Sequence, residues 1–213
     1  MKRILLLVFT TTLFFNLNAQ IQKGSIITGG HFNYNNTDHS TDNSSFSNGH
    51  NYSSNSLTIS PRIGFFTSES TLVGIGLVFE HRDSESESSG YYGTSIDKFK
   101  SNLFLINPYV TKYSKIKDKF YFTTRVNLKA GIGKEDDNKV FELRVNATPG
   151  LSYFVNDKWA LTCSVGNIYY NYKEVKLEDD SNNKVKDKQY GTNLDFNTFT
   201  LGFQYVINKR SRE

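Results

Sequence analysis

Apolar and polar residues alternate along most of the chain, and the alternation falls into eight runs. Residues 24–34 place Ile26, Thr28, Phe32 and Tyr34 on one face and Ser25, Gly29, His31 and Asn33 on the other. In residues 56–66, Leu57, Ile59, Pro61, Ile63 and Phe65 oppose Thr58, Ser60, Arg62 and Gly64. In residues 71–82, Val73, Ile75, Leu77 and Phe79 oppose Gly74, Gly76, Glu80 and Arg82. Residues 99–113 carry Phe104, Ile106, Pro108 and Val110 on the apolar side, and residues 119–133 oppose Phe120, Phe122, Val126, Leu128 and Ile132 to Arg125, Asn127, Lys129 and Gly131. The sixth run, residues 141–153, is the most regular: Phe141, Leu143, Val145, Ala147, Pro149, Leu151 and Tyr153 alternate with Glu142, Arg144, Asn146, Thr148, Gly150 and Ser152. Residues 159–172 and 193–207 complete the set. Period two is the mark of a strand with one apolar and one polar face, and helical spacing fits none of these windows.

The runs are ten residues or longer, beyond a typical globular strand and suited to a tilted strand that crosses a membrane. Links 67–70, 114–118 and 156–158 are short, whereas 35–55, 83–98, 134–139 and 173–192 are polar and generally longer. Short turns at one end and long loops at the other are what outer-membrane barrels show, with the long loops outside the cell. The pattern therefore predicts an all-β fold: an eight-stranded antiparallel up-and-down transmembrane β-barrel in a bacterial outer membrane. An even strand number puts both chain ends on the periplasmic side. Residues 35–55 are almost wholly Asn, Ser, Thr, Asp, Gly and His, a composition expected not to order itself.

The N-terminus reads as a secretory signal over residues 1–19, leaving residues 20–213 as the barrel domain. Lys2 and Arg3 precede residues 4–15, which are apolar apart from Thr10, Thr11 and Thr12, and Ala19 offers the cleavage site. That apolar stretch is too short for a helix that must cross roughly 30 Å of hydrocarbon. Gln20 rather than cysteine would follow the cut, which argues against a lipid anchor.

Charge and composition narrow the picture further. Loss of Lys2 and Arg3 leaves 23 basic against 21 acidic residues, a formal +2, too little to suggest nucleic acid. A single cysteine, Cys163, excludes an internal disulfide framework. Aromatic residues reach 15%, with 13 tyrosines. Aromatics are expected to edge the lipid-facing band: Phe65, Phe120, Tyr153 and Trp159 beside the short turns, Tyr34, Phe99 and Tyr169 toward the long loops.

The polar face carries Arg62, Glu80, Arg125, Lys129, Glu142 and Arg144. Facing inward, these charges would sit in a lumen that side chains nearly fill, so a paired network that plugs the barrel is expected. A selective pore for ions or small solutes is the functional alternative. His39 and His50 have no third metal ligand at a recognised spacing, and the acidic clusters at Asp136-Asp137 and Glu178-Asp179-Asp180 lack a calcium-loop pattern. His81, with Ser84 and Glu85 nearby, offers the one candidate for a lipid A-modifying enzyme at the outer rim. A soluble lipocalin-like barrel, with its apolar face inward, is a further alternative. No catalytic residue, cofactor or metal site is predicted. The leading expectation is a non-enzymatic barrel with a structural or surface-interaction role through its long loops. Its partners would be outer-membrane lipids and lipopolysaccharide, the barrel assembly machinery during insertion, and an extracellular ligand or surface.

The three prolines, Pro61, Pro108 and Pro149, each stand six or seven residues before a short turn, which suggests a shared bulge or bend near the periplasmic rim. Pro61 is followed by Ile63, Phe65 and Phe66, and Pro149 by Leu151, Tyr153 and Phe154, then Asn156, Asp157 and the segment Trp159, Ala160, Leu161. In these motifs the chain resembles the small outer-membrane β-barrel domain family, OmpA/OmpX-like, from about Gly24 to Ile207. The resemblance implies the barrel and says little about activity, since such barrels are functionally diverse. Barrels of this kind usually end on an aromatic, whereas here Tyr205 is followed by Val206, Ile207 and a basic tail.

Overall fold

The computed structural model describes residues 21–43, 48–90, 93–178, 183–193 and 199–207. The expected signal and the basic tail lie outside the described residues. The strands are β1 (Ile26–Asn43), β2 (Asn48–Ser68), β3 (Thr71–Gly90), β4 (Gly93–Lys117), β5 (Phe120–Glu135), β6 (Asn138–Phe154), β7 (Trp159–Val165), β8 (Asn167–Lys176), β9 (Lys184–Asn193) and β10 (Phe199–Ile207). All pairings are antiparallel. Each of β2 to β5 pairs with its sequence neighbours, β6 pairs β5, and β1 pairs β10 to close a ring. β7 and β8 both pair β6 and make one stave, while β9 and β10 pair β8 and β7 and make another, so ten strands form an eight-stave barrel.

The break between β7 and β8 is a bulge. Gly150 pairs Ser164 but Ala147 pairs Ile168, so three residues face two across β6. Gly166 supplies the left-handed backbone, φ 64, that this extra residue needs. A one-residue insertion exchanges the two faces of everything beyond it. Trp159 and Leu161 are therefore exposed on the outer wall, and so are Ile168 and Tyr170. Tyr169, expected in the outer aromatic edge, instead takes the inward parity, because the seventh run is not one uninterrupted strand. Phe99 is also inward: it pairs Ser84, which shares its face with Glu80. Of the prolines, only Pro149 lies beside a bulge. At Pro61 and Pro108 the ladder to the next strand loses rungs but keeps its register, because a residue without an N–H drops a bond without inserting a residue.

The apolar face points outward. Ile63, Ile75, Ile106, Val126, Val145 and Leu161 are all exposed, as are their apolar neighbours along each strand. The inward positions of β4 alternate with them and are buried from Ser101 to Tyr113. This orientation excludes the lipocalin-like arrangement with apolar residues inside.

Segments expected as disordered polar loops are instead strand extensions. β1 and β2 stay paired out to Asn43 and Asn48, and β3 and β4 out to Gly90 and Gly93. A backbone ladder needs no apolar side chains, and cross-strand polar contacts add to it: His50 Nδ1 lies 3.0 Å from Ser88 Oγ and Lys98 Nζ 3.2 Å from Glu85. Residues 134–139 form a tight hairpin turn in which Asp136 adopts φ 51 and its Oδ1 accepts the Lys100 N–H at 2.8 Å.

Ring closure is short. Among the described residues β1 pairs β10 only from Ile26 to Gly29, whereas β5 pairs β6 from Phe120 to Glu135. Beyond Gly29 the two strands diverge, and Phe32 and Phe203 are 68% and 66% exposed, against 49% for Ile106 on a fully flanked strand. Hydrogen–deuterium exchange is expected to show period-two protection from Gly30 to Tyr34, with alternate amides exchanging quickly. Uniform protection there, equal to that of β4, would mean the ladder runs on.

Candidate functional site

Each short turn draws apolar residues onto both faces of its strands, and the inward ones meet across the barrel. Ile27, Phe66, Leu72, Tyr113, Tyr121, Phe154, Ala160 and Val206 form one buried cluster at that end. Phe66 and Tyr113 lie 5.3 Å apart between ring centroids, and Tyr121 and Phe154 5.4 Å with near edge-on geometry. Offset and edge-on contacts of this kind add to the burial of large rings. Polar chains are buried among them as well: Gln204 is 1% exposed, and its Oε1 accepts the Tyr113 hydroxyl at 3.5 Å, while Ser25 and Ser152 are fully buried too. The lumen is sealed here by aromatic rings, not by the charge network expected from the sequence. The signal was present in the sequence: Phe66, Tyr113, Tyr121 and Phe154 are aromatics on the otherwise polar parity next to short turns.

Above the seal, Tyr109 of β4 covers the glycine row of Gly64 and Gly74. A Cβ at Gly64 would stand 2.7 Å from the Tyr109 hydroxyl, so the ring occupies the space that side chains on β2 and β3 would take. Arg125 of β5 lies over the same ring, 5.5 Å from its centroid, and its Nε donates to Thr111 Oγ1 at 3.1 Å. Asn127 Nδ2 donates to Asn107 Oδ1 at 3.0 Å. Arg62 of β2 shares this space, and its Nε is buried with no hydrogen-bond partner.

The six expected lumen charges divide into two groups. Arg144 reaches from β6 across the lumen to Glu80 of β3, Nη1 to Oε1 at 2.8 Å, and also grips Glu142 through Nη2 and through Nε at 2.6 Å. That triad is a strut tying opposite walls. Higher up, Lys173 of β8 ties to Glu135 of β5 at 2.5 Å. Arg62 and Arg125, by contrast, have no carboxylate within ion-pair distance among the described residues. They line a cavity of about 390 Å³ together with His31, Tyr109, Asn107, Asn127 and Lys129. Lys129, Asn167 and Asn193 also line a wider space of about 790 Å³ toward the hairpin end, whose walls include Glu142, Arg144, Tyr169 and Asp187. The lumen is thus a cup, sealed by aromatics at the short-turn end and continuous with the vestibule at the other.

The remaining candidates do not converge. His81 faces outward, and its Nδ1 lies 2.8 Å from Asn102 Oδ1. Ser84 has the opposite parity, and Glu85 pairs with Lys98, so neither stands beside the imidazole. His39 contacts Thr41 and His50 contacts Ser88, on paired hairpin strands. Asp136 is held by its turn, the Glu178 N–H bonds Asn138 Oδ1, and Asp179 and Asp180 lie outside the described residues.

Fold and lumen together define a small eight-stave antiparallel barrel with an apolar exterior and a polar, one-ended interior. Among solved structures the chain is similar to the outer membrane protein OprG from Pseudomonas aeruginosa, at 12% identity and a TM-score of 0.48, over 91% of this chain and 100% of that one. Likeness at that level bears on neither family nor function. No protein-family model matches the sequence, and no curated protein does.

The strut carries a measurable consequence. Arg144→Met strands Glu80 and Glu142 as unpaired carboxylates, and is expected to cost about 3 kcal/mol of stability. Adding Glu80→Gln and Glu142→Gln should recover most of it. Urea midpoints of the refolded variants check this, and a single variant as stable as the parent would show that the triad is not a strut.

Proposed function

We propose that the chain is an integral β-barrel of a bacterial outer membrane, non-enzymatic, with its short turns and both chain ends in the periplasm. It presents its hairpins and the open mouth of its cup to the cell exterior. The observation that carries this reading is the outward apolar belt around a polar interior. On β5 the outward positions from Phe122 to Ile132 are apolar apart from Thr124. At about 3.3 Å per residue and a tilt near 40°, that stretch spans roughly 25 Å, the height of a lipid-facing band.

The outer boundary of the belt also fits a lipid surface. Immediately beyond Ile132 and Phe141, the exposed Lys134, Lys139, Lys176 and Lys184 stand directly opposite one another in one row across β5, β6, β8 and β9. Like charges placed opposite each other destabilise a sheet, and the Glu174 carboxylate at 3.1 Å from Lys184 offsets only part of the repulsion. Phosphate groups of lipopolysaccharide would offset the rest. The OmpA/OmpX-like resemblance agrees with eight staves and with the turn asymmetry.

A pore is the weaker reading, because the aromatic seal leaves no path to the short-turn end. A lipid-modifying enzyme would need a nucleophile beside His81, where Asn102 stands. Two measurements on the membrane-extracted protein test the proposal together. Unheated protein should migrate differently from boiled protein in electrophoresis, and planar bilayers doped with it should show no discrete conductance. Discrete current steps would replace the sealed barrel with a pore, and absence of the protein from the outer-membrane fraction would remove the proposal.

A further inference from the structure

We infer that the lower chamber of the cup is a binding site for a small hydroxylated organic anion, held at its charged end by Arg62 and Arg125. The inference rests on the barrel reading above and adds a ligand class to its lumen. Two arginines share a chamber in which, among the described residues, no Asp or Glu lines the wall. Of the acids turned inward, Glu80 and Glu142 are already committed to Arg144 and Glu135 to Lys173, and Asp187 lines the wider space above. Placing two guanidinium groups in a confined space without counter-charge is costly, and the cost falls when an anion joins them. Arg62 adds a specific vacancy, since its Nε–H is buried and unpartnered. Its guanidinium ends beside Gly202, where a Cβ would stand 4.0 Å from Nη2 and 2.7 Å from Thr162 Oγ1, so the missing side chain leaves room there for the guanidinium and a neighbouring hydroxyl. Arg125 is held by Thr111 and the Tyr109 ring, which fixes its plane while leaving its Nη groups without a carboxylate. A planar fork with free donors is matched to a carboxylate or phosphate.

The rest of the chamber describes the body of the guest. At about 390 Å³ it falls in the size range of small-molecule sites and would be mostly empty around a bare oxyanion. Its walls carry hydroxyls and amides, among them Thr58, Ser60, Asn107, Asn127, Thr162 and Ser164, and one aromatic face, Tyr109. Such a lining favours a hydroxyl-rich body over an aliphatic one. Lys129 stands where the chamber meets the vestibule and adds a third cation on the entry path. With the short-turn end sealed, the ligand enters and leaves by the hairpin end.

The test is calorimetric titration of the full-length refolded barrel in detergent with gluconate, glucose 6-phosphate, glucose and inorganic phosphate. Each sample is first checked for its electrophoretic heat shift. Both hydroxylated anions should bind, glucose should not, and inorganic phosphate should bind more weakly; the order of the first two distinguishes a carboxylate from a phosphate ligand. Arg62→Gln and Arg125→Gln should each weaken binding by about tenfold or more, with Arg62→Lys intermediate. If Arg62→Gln fails to refold, Arg125→Gln and Arg62→Lys carry the comparison. A parent protein that shows the heat shift but binds neither anion overturns this inference alone. So does binding that is unchanged in the Arg variants, or equal for glucose. A parent protein without the heat shift overturns the barrel reading and this inference with it.

Discussion

Every other feature of this molecule depends on the backbone ladder closing on itself. A strand whose edge is left open keeps a row of unpaired N–H and C=O groups, and in hydrocarbon each costs several kcal/mol. Seven of the junctions around the ring are met by long ladders or by two strands end to end. The eighth, between β1 and β10, is four residues long among the described residues. It lies at the short-turn end, where Ile27 and Val206 also enter the aromatic seal. The shortest junction is therefore backed by the buried aromatic cluster. Toward the hairpin end, where the seam diverges, the inward face is polar and the lumen is open, so water can reach the unpaired groups.

The same division organises the interior. An eight-stave lumen is narrow enough for side chains to span, and this one is spanned differently at three heights. Tyr113, Tyr121, Phe66 and Phe154 fill it with rings at the short-turn end. Arg144, with Glu80 and Glu142, crosses it as an ion-paired strut. Between them Tyr109 lies over glycine backbone, and Arg62 and Arg125 remain without acids. Charge balance is thus satisfied locally above and left open below, and the lower chamber becomes the place where a guest would be held.

Much of this architecture was legible in the alternation of the chain. The eight runs, the three short turns and the outward placement of Ile63, Val110 or Leu151 follow from period two. What escaped the pattern did so for identifiable reasons. Gly166 inserts one residue and exchanges the faces beyond it, so Tyr169 could not be placed by counting from Trp159. Residues 35–55 looked too polar to order because composition reports side-chain burial, while their pairing is a backbone matter. The charge network was legible as a set of inward residues. Which of them meet was not, because Arg144 reaches β3 across two intervening strands, a distance that only the curvature of the wall makes short.

The lone tryptophan offers the most direct test of the central claim, that the outward apolar face lies against lipid. Trp159 is 48% exposed on the outer wall beside the last short turn, with its ring 5.0 Å from that of Tyr205. In vesicles of phospholipids brominated at defined depths along the acyl chain, its fluorescence should be strongly quenched, and most by bromines near the headgroup end. Fluorescence that ignores brominated lipid but falls with an aqueous quencher would place Trp159 in water and contradict the account.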